Sequence, residues 1–286
     1  MNNFDLTDCR VNGTSVFTSN SKGNKQDGLR GVGDHSNDHR KPLITVITVV
    51  FNGASTLEKS ISSVIRNLND DVEYIIIDGG SVDGTLEIIR RYENQIDSWI
   101  SEADRGIYDA WNKGIALARG EWISFLGADD CYQDGALKAY ANFIHCHSNE
   151  SFDYISSRIN LISDGNCFRT VGKRWNWKDF KKYMNVAHVG SMHNRTLFAK
   201  HGLYDISYKI CGDYEFLLRP GIDLKAGYMN AITVDMSVGG VSNGSLLAFE
   251  ETRRAKLITG KRGFIAISFE KYIAIIKWKI RGWIQR

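Results

Sequence analysis

From residue 43 onward the hydrophobic positions fall into short blocks that switch between the period of a strand and the period of a helix. Leu43–Val50 is an apolar run rich in β-branched residues, the pattern of a strand buried on both faces. Over Ala54–Leu68 the positions Leu57, Ile61, Val64, Ile65 and Leu68 keep helical spacing. Val72–Ile77 predicts a second buried strand, Leu86–Tyr92 a helix and Ser98–Ser101 a short strand. Ile107–Ala118 reads as a helix stopped near Gly120, and Trp122–Leu126 as a further strand. Strand and helix alternating at this spacing predict a parallel sheet with helical crossovers. The polar punctuation then falls after the strands, on one sheet edge. Beyond Tyr132 the rhythm loosens. A helix is expected over Ala136–His147, then a hairpin of Tyr154–Ile162 and Cys167–Val171 turned by Ser163–Asn166. After the aromatic, basic stretch Lys173–Tyr183, a strand is expected near His188, a helix over Thr196–His201 and another over Asp213–Arg219.

Two acids end the strand at Trp122. In Glu121-Trp-Ile-Ser-Phe-Leu-Gly-Ala-Asp-Asp130 an apolar run stops abruptly at Asp129 and Asp130. Adjacent carboxylates repel, and at the carboxyl end of a buried strand they face the crevice where open α/β sheets bind ligands. Oxygen ligands of this kind suit Mg²⁺ or Mn²⁺, ions that commonly share their shell with substrate phosphates. A solvated turn is the plainer alternative. Asp78 closes another strand; ionised, it only accepts hydrogen bonds, so it can take the N3–H of a uracil ring, or it can close an Asx-turn. Asp83-Gly84-Thr85 reads as a helix cap.

Composition sets the outer limits. The 286 residues are 43% hydrophobic and 24% charged, ordinary for a globular chain, with a net charge of +3. The charge is unevenly placed: from Thr252 to Arg286 ten Lys/Arg face one acid, a balance of +9 that leaves −6 for the other 251 residues. Five scattered cysteines without a CxxC pair indicate reduced thiols and a cytosolic setting. Neither a secretory leader nor an apolar run long enough to span a membrane is evident. Two Asn-x-Ser/Thr sequences are then read as chance. Residues 1–41, rich in Asn, Ser, Gly and Asp, read as a disordered extension.

Four segments in order carry a family resemblance. Thr45-Val-Ile-Thr-Val-Val-Phe-Asn52, Ile76-Ile-Asp-Gly-Gly-Ser-Val-Asp-Gly-Thr85 and Phe125-Leu-Gly-Ala-Asp-Asp130 resemble the donor-site motifs of the GT-A glycosyltransferases of family 2. Asp104-Arg-Gly-Ile-Tyr-Asp-Ala-Trp-Asn-Lys-Gly114 is similar to a bacterial branch that builds surface polysaccharides. The resemblance spans about residues 43–242 and implies a GT-A α/β fold, a mostly parallel central sheet flanked by helices, over 42–245. It implies an inverting transfer from a nucleotide diphosphate sugar, UDP-linked by preference, to a hydroxyl of a polyprenyl-linked glycan, as in O-antigen, capsule or exopolysaccharide assembly. It carries donor-binding roles to Thr48, Phe51, Asn52, Asp78, Asp104, Arg105 and Asp129, and the Mn²⁺ or Mg²⁺ site to Asp130 with Asp129. In Ile210-Cys-Gly-Asp-Tyr-Glu-Phe-Leu-Leu-Arg219 the general base matches Asp213. His188, Gly240 and Ser242, the last two in the glycine-rich Ser237–Ser242, match positions near the acceptor or the diphosphate. The chain departs from the family at four points, with Gly79 and Gly127 where relatives often have Asp, Trp111 where many have Arg, and Gly212 where Glu is usual. Two other classes remain open at this stage: a non-catalytic nucleotide-sugar binder, and a phosphatase of the haloacid dehalogenase type, which needs a nucleophilic Asp where this chain has Ser81.

Residues 246–286 form the last expected unit, a basic amphipathic helical tail. Ile265, Phe269, Tyr272, Ile273, Ile276, Ile280, Trp283 and Ile284 share one helical stripe, with Lys271, Lys277 and Arg281 beside or opposite it. That pattern reads as a helix lying on an anionic membrane surface, which the resemblance implies is the inner face of a bacterial cytoplasmic membrane, or as one packed on the domain. A nucleic-acid partner is not expected, because the rest of the chain sums acidic.

Overall fold

The computed structural model describes residues 29–32, 41–239 and 246–284. Its centre is a sheet of ten strands, β1 (Leu29–Val32), β2 (Ile44–Val50), β3 (Val72–Asp78), β4 (Ser98–Ser101), β5 (Trp122–Gly127), β6 (Cys131–Tyr132), β7 (Tyr154–Ser163), β8 (Asn166–Val171), β9 (Met192–Asn194) and β10 (Ala226–Ser237). They run in the order β1-β4-β3-β2-β5-β9-β7-β10-β6, with β8 paired to β7 outside that path. The block β4-β3-β2-β5 is parallel throughout. β9 reverses direction against both β5 and β7, and β10 returns parallel to β7.

Alternation in β2 shows why helices cover both faces. Ile44, Val46 and Val50 join one core cluster, with Leu57, Ile61 and Val64 of α1 (Leu57–Ile65), Ile88 and Ile89 of α2 (Thr85–Arg91), and Leu137 and Tyr140 of α4 (Ala136–Cys146). Ile47 and Val49 join the other cluster. There they meet Tyr108, Trp111 and Ile115 of α3 (Ile107–Leu117), Phe198 of α6 (Arg195–His201), Phe216 of α7 (Gly212–Leu218) and Ala255 of α8 (Leu246–Ile258). A strand with apolar side chains on both faces has to be buried on both. A one-turn helix, α5 (Trp177–Phe180), seats Phe180 in the second cluster. The last helix is α9 (Phe264–Ile284).

The parallel half follows the sequence expectation to within a few residues at each boundary. The hairpin forms too, with Asp164 (φ 50°) and Gly165 (φ 77°) both left-handed, the geometry that matches strand twist in a two-residue turn. Three features differ. The strand expected near His188 lies later, at Met192–Asn194, and His188 sits in the bend before it. β10, twelve residues long, has no counterpart in the expectation. Within the stretch read as a disordered extension, Leu29–Val32 pairs antiparallel with β4, so part of it is sheet.

Candidate active site

Strand register gathers the acids on one edge. β2 lies between β3 and β5, with Val50 opposite Asp78 and Val49 opposite Gly127, and Asp78 opposite Ser101 of β4. The loops at Phe51–Ala54, Gly79–Gly84, Glu102–Gly106 and Ala128–Asp130 therefore leave the sheet side by side. Two of them are tied together: the Asn52 amide donates to Ser81 Oγ (2.7 Å), Asn52 Oδ1 accepts from the Val82 amide (3.0 Å), and the Ala54 amide donates to Asp83 Oδ2 (3.0 Å). Asn52 holds a left-handed φ of 50°, which Asn tolerates better than most residues. Asp83 is the cap that its spacing suggests, accepting from the Thr85 amide and hydroxyl at 3.1 and 2.5 Å. Those bonds, with the Thr85 hydroxyl first, hold its carboxyl below the usual range.

Asp78 is fully buried at the end of β3. It accepts from the Ser101 hydroxyl (2.6 Å) and from the amide and hydroxyl of Ser81. An ionised carboxylate has about four acceptor positions, so one further donor can be taken. Beside it Phe51 presents an aromatic ring that is 65% exposed. Asp104 accepts from the Gly106 amide (2.8 Å), which turns the chain into α3. Arg105 reaches solvent and pairs with Asp109 one turn on (3.3 Å). Thr48 was expected among the donor contacts, but its side chain is buried in the core and accepts from the Tyr74 hydroxyl (3.1 Å). It points under the sheet because the pleat alternates, so its hydroxyl does not face the crevice.

The acidic pair is asymmetric. Asp130 is buried, and its Oδ1 accepts from the Ser237 amide at the end of β10 (3.0 Å). Ser237 also donates its hydroxyl to the Asp129 carbonyl (2.6 Å). Burial first, and then the neighbouring Asp129 charge, push the Asp130 carboxyl up to about 7. A Cβ added at Gly127 would lie 2.6 Å from Asp130 Oδ2 and 2.9 Å from Asp129 Oδ1, so both carboxylates converge over that glycine. An all-oxygen, uncompensated acidic cradle of this kind fits a hard divalent cation. No group of three or more His, Cys, Asp or Glu with metal-site geometry occurs among the described residues, which leaves further ligand positions to phosphate and water.

Asp213 arrives from the far side through Tyr108. In the first turn of α3, the Tyr108 hydroxyl donates to the Ile210 carbonyl (2.6 Å) and lies 3.3 Å from Asp213 Oδ1. Asp213 also accepts from the Tyr214 amide (2.8 Å). Its partly exposed carboxyl is pushed up to about 6, chiefly by desolvation, against these hydrogen bonds. A carboxylate poised near neutrality suits a general base.

Three of the four departures from the family pattern stand at close approaches. A Cβ at Gly79 would lie 2.5 Å from Asp104 Oδ2, and one at Gly212 would lie 2.8 Å from the Tyr108 ring. At Gly127 the converging carboxylates fill the space. The fourth, Trp111, is buried and stacked on His188 with centroids 4.7 Å apart. No phosphate contact comes from that position. His188 is likewise a core residue, stacked on Trp111 and on Phe125 and bonded through Nε2 to the Tyr204 hydroxyl (3.0 Å). Burial holds it well below its usual pKa, and it stays neutral. His188, expected at the acceptor or diphosphate, is thus set among Trp111, Phe125 and Tyr204. Gly240 and Ser242 lie outside the described residues. Sequence reasoning passed over Tyr108 as a partner of the base, Ser237 as a clamp on the acidic pair, and Lys209, whose Nζ donates to the Arg105 carbonyl.

A parallel sheet with an acidic edge, helices on both faces and a partly exposed carboxylate poised near neutrality are what a sugar-nucleotide transferase of the GT-A type requires. Residues 45–199 match Glycosyl transferase family 2, and the chain belongs to that family; it is a nucleotide-sugar glycosyltransferase. It is 30% identical over 213 residues to a PGL/p-HBAD biosynthesis glycosyltransferase of Mycobacterium bovis, covering 71% of this chain and 80% of that one. Among solved structures it resembles S. aureus TarS 1-349 in complex with UDP-GlcNAc, with a TM-score of 0.62, 14% identity, and 80% of this chain and 70% of that one covered. In the UDP complex of TarS, 64% of that chain is covered. A mannosyltransferase, PcManGT from Pyrobaculum calidifontis, in complex with GDP-Man and Mn²⁺, gives a TM-score of 0.53 at 15% identity, covering 84% of this chain and 70% of that one. At these identities the structural likeness speaks to the fold.

Proposed function

We propose that the protein transfers a sugar from a UDP-linked donor to a hydroxyl of a polyprenyl-linked glycan, with inversion at the anomeric carbon. The observation that supports this reading is that Asp78 and Asp129–Asp130 follow the strands flanking β2 at one sheet edge, with Tyr108, the partner of Asp213, at the start of the helix that follows β4. Phe51 offers its exposed face to the base, and Asp78 keeps an acceptor position for an imide N–H. Asp104 and Arg105 flank the ribose and phosphates, with Lys209 close behind. Asp213 removes the proton of the acceptor hydroxyl as that oxygen attacks the anomeric carbon; the sugar–phosphate bond breaks on the opposite side and UDP leaves with the bonding pair. Asp130, with Asp129, would hold Mg²⁺ or Mn²⁺, which when bound supplies charge stabilisation to the diphosphate. Support for UDP comes from the TarS complexes with UDP and UDP-GlcNAc, and support for a divalent ion from the Mn²⁺ complex of the mannosyltransferase. The mycobacterial relatives' names support an acceptor in glycoconjugate biosynthesis, with O-antigen, capsule or exopolysaccharide as the bacterial counterparts.

A membrane-bound acceptor also gives the tail a purpose. No helix among the described residues is long and apolar enough to cross a membrane. On α9, however, Ile265, Phe269, Tyr272 and Ile276 are 85, 68, 66 and 56% exposed, while Ile267, off that stripe, is buried. These four side chains face outward, as a helix lying on an anionic lipid surface would require. This supports a location at the cytoplasmic face of the inner membrane. The phosphatase reading has no support, since Ser81 stands at the nucleophile position and Asp83 caps α2.

The test is a panel of UDP-glucose, UDP-galactose, UDP-GlcNAc and GDP-mannose, with and without Mn²⁺, read by thermal shift and by nucleotide release with a polyprenyl diphosphate-linked sugar acceptor. Asp213→Asn should lose transfer while UDP·Mn²⁺ still raises Tm, whereas Asp130→Asn should lose the Mn²⁺-dependent shift. Normal turnover by Asp213→Asn would remove the base assignment.

A further inference from the structure

The segment that leads into Asp213 is held by a residue far along the chain. Glu251, buried on α8, accepts hydrogen bonds from three consecutive backbone amides, Lys209 to Oε1 (2.7 Å) and Ile210 and Cys211 to Oε2 (2.8 and 2.9 Å). Successive amides turned onto one carboxylate form an anion-binding nest, and bonds to an ionised acceptor are the stronger kind. These amides are Glu251's partners among the described residues. Ile210 is consequently pinned at both ends, its N–H by Glu251 and its carbonyl by Tyr108 (2.6 Å). Further contacts tie the same helix to the segment. Cys211 Sγ lies 3.4 Å from Thr252 Oγ1, and Arg254 sits 4.3 Å over the Tyr208 ring.

We infer that Glu251 is a positioning residue for the general base, setting the direction in which Asp213 meets the acceptor hydroxyl through the peptide that it and Tyr108 hold between them. The inference rests on the reading of Asp213 as that base. Five titratable groups face Asp213: Tyr108 from α3, Tyr154 from β7, Tyr204 from the loop after α6, Cys211 ahead of α7, and Glu251 from α8. Burial raises all three tyrosines and pushes the Cys211 thiol up to about 12, so they remain neutral at working pH. Glu251 is the other carboxyl of the set, and it contributes to holding the Asp213 carboxyl up.

Two variants separate geometry from charge. Glu251→Gln keeps the shape but presents an amide NH₂ to one of the backbone N–H groups and removes the charge. Glu251→Asp keeps the charge and draws it back from the nest by one methylene. With the donor that the panel selects, both should lower kcat by about ten-fold or more while donor KM stays within about two-fold, the signature of a lost transition-state interaction. The acidic limb of kcat should move to lower pH in Glu251→Gln and stay in place in Glu251→Asp. Lys271→Ala, which unties α9 from Glu250 on α8 without touching the nest or the segment it holds, should keep wild-type kcat. Unchanged kcat in both Glu251 variants, or an equal loss in Lys271→Ala, would overturn the inference. Asp213→Asn, run alongside, tells the two failures apart. An active Asp213→Asn refutes the base assignment, whereas an inactive one beside a fully active Glu251→Gln refutes the inference alone.

Discussion

Tyr108→Phe removes one oxygen from the structure, and the consequences of that deletion can be worked out in advance. The lost hydroxyl has two acceptors, the Ile210 carbonyl at 2.6 Å and Asp213 Oδ1 at 3.3 Å. Ile210 is part-buried, so stripping its carbonyl of a donor should cost about 1 kcal/mol and lower Tm by a few degrees without loss of fold. The second effect is on the base. Desolvation raises the Asp213 carboxyl to about 6, and the bonds from the Tyr214 amide and the Tyr108 hydroxyl act against it. Without the hydroxyl the ionised form loses a donor, so the carboxyl rises further. Transfer needs that carboxyl ionised, so wild-type kcat should fall as pH drops through about 6. At one unit below the midpoint only about a tenth of the enzyme carries an ionised base. In Tyr108→Phe the acidic limb should shift to higher pH, with a loss at pH 6 that is recovered near pH 8. The assay is initial-rate nucleotide release at saturating donor from pH 5 to 9, with circular dichroism to confirm folding. A limb that stays in place or moves to lower pH would refute the electrostatic account of Asp213.

Two other predictions follow from packing. Gly212→Ala puts a Cβ 2.8 Å from the buried Tyr108 ring. It should destabilise the fold by about 1–3 kcal/mol in urea unfolding and cut activity with it, since the displaced ring carries the hydroxyl that meets Asp213. Replacing Ile265, Phe269 and Tyr272 together by Ser should leave Tm unchanged and weaken co-sedimentation with anionic vesicles at least ten-fold, because burial of each large apolar side chain contributes about 1.5–3 kcal/mol. Equal vesicle binding by that variant would mean that the stripe serves another purpose.

The first half of the fold was legible because each parallel strand announces itself twice, by an apolar run and by the turn residues at its end. Asp78 and Asp130 stood out for the same reason, as charges where a buried strand has none. β10 was not legible. Its sequence, Ala-Gly-Tyr-Met-Asn-Ala-Ile-Thr-Val-Asp-Met-Ser, alternates only in patches, and two register shifts against β7 break its period. β9 is three residues long and takes its identity from the strands on either side. His188 looked like a strand-end ligand, yet the aromatic rings that bury it come from Trp111 and Phe125, well before it in the chain. Tyr108 and Asp213 are 105 positions apart, and no local pattern links them. Glu251 escaped notice because it lies in a tail whose evident character is basic; the Glu250-Glu251 pair ahead of Arg253, Arg254 and Lys256 was the available signal.

β10 also bears on where the chain can be cut. The family match ends at residue 199, before Asp213, Ser237 and Glu251. A shortened protein trimmed to that boundary would strip β7 of its parallel neighbour and leave its backbone amides and carbonyls facing solvent, an invitation to pair with another copy. Such a fragment should precipitate or oligomerise, and its silence in an assay would say nothing about which sugar the intact protein moves.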